Sequence, residues 1–85
     1  MNNKIILEAL ASDLKRVALG LQRGSLAMAD KFTQEVQRRK QELKISELPM
    51  YLQKLLNNLE SAIKNADTAL MYSTLFQNFS IKMLK

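Results

Sequence analysis

The sequence has no cysteine, no histidine and no tryptophan, and holds one proline and two glycines in 85 residues. Without cysteine no disulfide can staple a short chain, and without cysteine and histidine together the usual zinc ligands are missing. The same two absences remove the commonest general base at neutral pH and the most reactive nucleophile. The Glu-x-x-His pattern of di-iron bundles is excluded with them. No catalytic, cofactor-binding or metal-binding residue is therefore assigned, no small-molecule substrate is inferred, and the protein is expected not to be an enzyme. The carboxylates Asp13, Asp30, Glu35, Glu42 and Glu60 read instead as outward-facing groups beside basic neighbours. Glu35 with Arg39 and Glu60 with Lys64 have the favourable i,i+4 order.

Long apolar runs are also missing. The longest uncharged stretch, Thr68 to Ile81, falls short of the roughly 20 residues that a bilayer span requires. Near the start, Ile5 to Leu7 is interrupted by Glu8, far below the roughly 7 to 15 apolar residues of a signal peptide. No membrane span is expected, and the expected compartment is the cytoplasm.

What the chain does contain is 47% hydrophobic residues, which suits a folded domain. Leu, Ala, Lys, Gln and Glu, which lose little entropy in a helix, prevail over β-branched residues. The reading is a single all-α domain over residues 1–85. Ile6, Leu7, Leu10, Leu14, Val17, Ala18 and Leu21 repeat at helical spacing, predicting a first helix over 4–21 with Asn2 or Asn3 as its cap. Gly20 and Gly24 then predict a break, with Gly20 near the C-cap and Ser25 starting a second helix over 25–44. The apolar stripe nevertheless stays almost in phase across the glycines, so one continuous helix from Lys4 to Lys44 is the other reading. Pro49 marks the next boundary and a third helix over 48–65. Near Asn65 to Asp67 the apolar face jumps most of half a turn, which predicts a fourth helix over 67–84 capped by Asp67. Four such pieces with short connections make a small up-down-up-down four-helix bundle. The alternative is a long helical hairpin completed by dimerisation.

The fourth helix carries the functional expectation. At about 100° per residue, Tyr72, Leu75, Phe76, Phe79 and Met83 fall on one arc, and Leu70, Ile81 and Leu84 lie nearly opposite. A helix apolar on two sides must be covered on both. It is therefore expected to be the central helix of the bundle, with Met71, Met83 and Leu84 left partly exposed. Apolar area that one small chain cannot bury marks an interface, and a symmetric dimer is the commonest arrangement. The function expected is a small helical-bundle interaction protein that self-associates as a homodimer through Tyr72, Leu75, Phe76, Phe79 and Met83, with Gly20 and Gly24 contributing a close helix contact.

Thirteen Lys and Arg against eight Asp and Glu leave a net charge of +5, which favours polyanions as partners. The densest cluster is Arg38, Arg39, Lys40 and Lys44, at the end of the second predicted helix. Cations there complement the helix dipole, or contact phosphates. The alternative function is accordingly a basic RNA- or ribosome-associated protein using that cluster with Lys15, Arg16 and Arg23. Only Tyr51 lies near enough to stack on a base, so backbone rather than sequence-specific contact is expected.

Overall fold

The computed structural model describes residues 2–82. Helix α1 spans Asn3–Gln22. Its cap is Asn2, whose Oδ1 accepts a hydrogen bond from the Ile5 N–H at 3.0 Å. That satisfies one of the four amides a helix start leaves unpaired. Asn3 instead reaches across the fold, where its Nδ2 donates to the Lys44 carbonyl at 3.1 Å and its Oδ1 accepts from the Lys44 N–H at 2.9 Å. This two-pronged clamp ties the start of α1 to the segment that follows α2.

The helix ends between the two glycines, as one of the two expectations has it. Ser25 N–H donates to the Gly20 carbonyl at 2.8 Å and Gly24 N–H donates to the Leu21 carbonyl at 3.3 Å. These two bonds close a Schellman turn around Gly24, whose φ of 70° is the left-handed conformation glycine adopts without a Cβ clash. The continuous helix over 4–44, and the long hairpin built on it, are thereby excluded. Ser25 caps α2, Leu26–Glu42, accepting from the Met28 N–H at 3.4 Å.

A short 3-10 turn, Ile45–Glu47, leads to Pro49 and α3, Met50–Asn57. The third predicted helix is not continuous over 48–65. It stops at Asn58, at φ −103° and ψ 14°, and resumes for one turn as α4, Leu59–Ala62. Asn57 and Asn58 together supply the reason, because short amide side chains compete for backbone hydrogen bonds and hold helices poorly. Helix α5 follows over Ala66–Lys82. Its start is capped by Asn65, whose Oδ1 accepts from the Thr68 N–H at 3.1 Å, and not by Asp67. Asp67 sits inside the first turn, where a negative charge favours the dipole.

The path is up, down, up, down, with the third leg broken into α3 and α4. The clamp between Asn3 and Lys44 fixes α1 and α2 as antiparallel, and the Tyr51 and Phe79 rings, 6.2 Å apart, do the same for α3 and α5. Helix α1, and not α5, is central, because it packs against both α2 and α5 and carries the largest share of the core. Ile6, Leu7, Leu10, Leu14 and Val17 from α1 are almost wholly covered, together with Val36, Leu52, Leu56 and Phe76 from the other legs. Each such side chain contributes roughly 1.5 to 3 kcal/mol by leaving water. Among the described residues no helix is long and apolar enough to cross a membrane.

Candidate functional site

Helix α5 divides into a covered face and an open flank. Ala69, Tyr72, Ser73, Phe76 and Ser80 are buried. The two serines are covered because each donates to a carbonyl: Ser73 Oγ to Ala11 at 2.6 Å across to α1, and Ser80 Oγ to Gln77 at 2.8 Å. Tyr72 and Phe76 meet edge to face with ring centres 6.1 Å apart. Of the residues expected to mediate self-association, these two belong to the core of the single chain.

Leu75 is 39% exposed and Met71 53% exposed, one turn apart on the flank, while Phe79 is half-buried beneath Tyr51. Tyr51 itself is 56% exposed, and Met50 beside it is also exposed. The open apolar strip is therefore Met71, Leu75 and Phe79 on α5, continued by Tyr51 at the start of α3. Leu70 is half-buried and Ile81 exposed, so the opposite side of α5 is only partly covered. Met83 and Leu84 lie outside the described residues.

Gly20 is buried in the α1–α2 contact, where an added Cβ would come within 2.8 Å of the Ala29 backbone nitrogen. Gly24 forms the turn. Their spacing serves the hairpin within the chain, and neither belongs to the open strip. Tyr51 is the member that sequence reading missed. Its signal was its place on α3, one residue after exposed Met50 and one turn before half-buried Leu55.

The basic cluster is partly neutralised. Arg38 bonds Glu35 at 2.5 Å, and Arg39 lies 3.5 Å from Glu42 and 3.8 Å from Asp13. The expected Glu35 and Arg39 pair is thus replaced by i,i+3 pairing and by a contact between helices. Lys40 and Lys44 pair with no carboxylate among the described residues. Arg16 lies over the Phe32 ring, 5.4 Å from its centre, with Lys31 also 5.7 Å from it.

Asp13 does not face outward as expected. It is buried in the α1–α2 seam, with Arg39 Nε 3.8 Å and Arg16 3.7 Å from its oxygens. At that distance Asp13 Oδ2 and Arg39 Nε form an ion pair but no hydrogen bond, and neither atom has another partner among the described residues. Burial pushes the Asp13 carboxyl above its ordinary value; Arg39 opposes this, Glu35 adds to it, and Arg16 and Arg38 oppose it more weakly. Nothing in this arrangement supplies a nucleophile with an adjacent base. No group of three or more acidic side chains that could hold a metal ion occurs among the described residues.

What the geometry offers is an uncharged apolar strip on one side and a partly neutralised basic surface on the other. No protein-family model, curated protein or solved structure matches the chain.

Proposed function

We propose that this is a cytoplasmic, non-enzymatic helical-bundle interaction protein that self-associates as a dimer through the open strip of α5 and the start of α3. The observation that carries the reading is the exposure of Met71 and Leu75 beside the Tyr51–Phe79 pair, on the one helix that has no charged residue from Thr68 to Ile81. Two copies of a chain with a net charge of +5 repel each other. The α5 strip is a surface on which they can approach without setting like charges face to face. A symmetric pairing there removes Met71, Leu75 and Tyr51 from water on both copies at once, and aromatic residues and methionine are the types enriched in interface cores.

Sedimentation at micromolar concentration, after nuclease treatment, tests the reading. The expected mass is twice that of the chain, falling to the single-chain value for Met71→Asp combined with Leu75→Asp while the helical circular dichroism is retained. Phe76→Asp is unsuitable, because Phe76 is fully buried and its loss unfolds the chain. A folded monomer at about 100 times the micromolar range, far weaker than a specific interface gives, ends the proposal.

A further inference from the structure

A second surface feature stands apart from the α5 strip. Helix α4 is a single turn set off from α3 by the break at Asn58, and it leaves an open groove of about 390 Å³ between itself and the end of α2. That size lies within the range of small-ligand sites, roughly 300 to 1,000 Å³. Val36, Leu43 and Leu59 form its buried floor, and half-buried Ile45 and Ile63 form its sides. The apolar lining is wholly aliphatic, so it offers no ring for a planar ligand to stack on and suits a flexible alkyl chain.

The rim supplies the polarity. Lys40 is half-buried at the α2 edge and, unlike Arg38 and Arg39, pairs with no carboxylate among the described residues. A cation left unpaired beside apolar surface is a ready partner for an anionic head group. Gln37 and Gln41 add neutral amide donors on the same edge. Glu60 stands on the α4 edge, and its charge turns an anionic head away from that side and towards Lys40.

We propose that the groove between α2 and α4 binds a free medium-chain aliphatic carboxylate, with the alkyl chain on Leu59, Ile63, Ile45 and Leu43 and the carboxylate at Lys40. The site shares no residue with the α5 strip, so it stands or falls independently of self-association.

Decanoate is the probe, titrated into the full chain near neutral pH and below its micellar concentration, with methyl NMR as the readout and decylamine as the charge-reversed control. The expected result is saturable shifts at Ile45, Leu59 and Ile63, and binding of decylamine weaker by about tenfold. Lys40→Glu weakens decanoate by about tenfold, and Glu60→Gln tightens it about threefold, since both act through charge at the rim. Ile63→Trp fills the groove and abolishes the shifts. Circular dichroism of each variant establishes that it is folded. Equal affinity for decanoate and decylamine overturns the proposal, as do the absence of saturation and shifts confined to Met71 and Leu75.

Discussion

At the scale of single residues, the two glycines separate two kinds of constraint that look alike in the sequence. Gly20 sits where a Cβ would lie 2.8 Å from the Ala29 nitrogen and 3.1 Å from its Cα, and these are backbone atoms that cannot swing aside. Gly24 has nothing within 4 Å of such a Cβ, but its φ is +70°. Gly20→Ala therefore forces α1 and α2 apart, with an expected loss of about 1 to 3 kcal/mol. Gly24→Ala costs about 1 to 2 kcal/mol through backbone strain alone. Asparagine, which tolerates the left-handed region, separates the two effects in urea unfolding. Gly24→Asn recovers much of the loss, whereas Gly20→Asn loses more than Gly20→Ala. Equal recovery at both positions would contradict this division.

Asp13 makes a prediction of a different kind. The folded chain holds its proton more tightly than the unfolded chain, because burial raises the carboxyl above its ordinary 3.8. The stability this group contributes is thus complete below that value and is lost as pH rises through the higher folded value. Asp13→Asn removes the titration and leaves Arg39 with Glu42. Variant stability relative to the parent should climb as pH rises above the ordinary carboxyl value of 3.8, as read by urea midpoints at each pH. A flat difference, or one of the opposite sign, rules out burial as the dominant influence on Asp13. The helical period placed this residue on the outward face, since its register against Arg39 exists only once α1 and α2 are docked.

At the scale of helices, local chemistry was legible and packing was not. The 3.6-residue spacing of apolar side chains gave α1 and α2 to within two residues at each end, and Ser25, Pro49 and the region of Asn65 gave the main boundaries. Asn58 was missed because the apolar period runs on through Leu59, Ala62 and Ile63, so periodicity signals continuity where the backbone yields to two adjacent asparagines. The same limit applies to Asn3, which reads as a cap and serves instead as a clamp on Lys44, far away along the chain. Asn3→Ala strands the Lys44 N–H and carbonyl, both partly shielded from water, and is expected to cost about 1 to 3 kcal/mol. Asn2→Ala removes an exposed cap and costs about 1 kcal/mol. Urea unfolding ranks the two, and a larger loss at Asn2 would show that the clamp contributes little. Hydrogen exchange distinguishes them further: Asn3→Ala accelerates exchange in the 45–47 turn, while Asn2→Ala frays only the start of α1.

At the scale of the molecule, the absence of charge on α5 was readily mistaken for centrality. Burial follows from how much of an element its neighbours cover, and α1 is flanked by two full-length helices, α2 and α5, while keeping Glu8, Lys15 and Arg16 on its exposed side. Helix α5 instead contributes one face to the core and leaves a flank on which Met71 and Leu75 are exposed. The distribution of charge then sets the sign of a test. If copies meet on the uncharged strip, the remaining electrostatic contribution is long-range repulsion between two bodies of +5 each. Salt screens it, over a distance that shrinks from about 30 Å at 0.01 M to about 10 Å at 0.1 M. Dimerisation measured by sedimentation should accordingly tighten a few-fold across that range. Binding of nucleic acid by Lys40, Lys44 and their neighbours runs the other way, because each phosphate contact releases counterions and is weakened by added salt. A dimer that loosens as salt is added requires charged contacts in its seam and excludes the α5 strip. A mass that depends on copurifying nucleic acid and falls at high salt assigns the assembly to the basic surface instead.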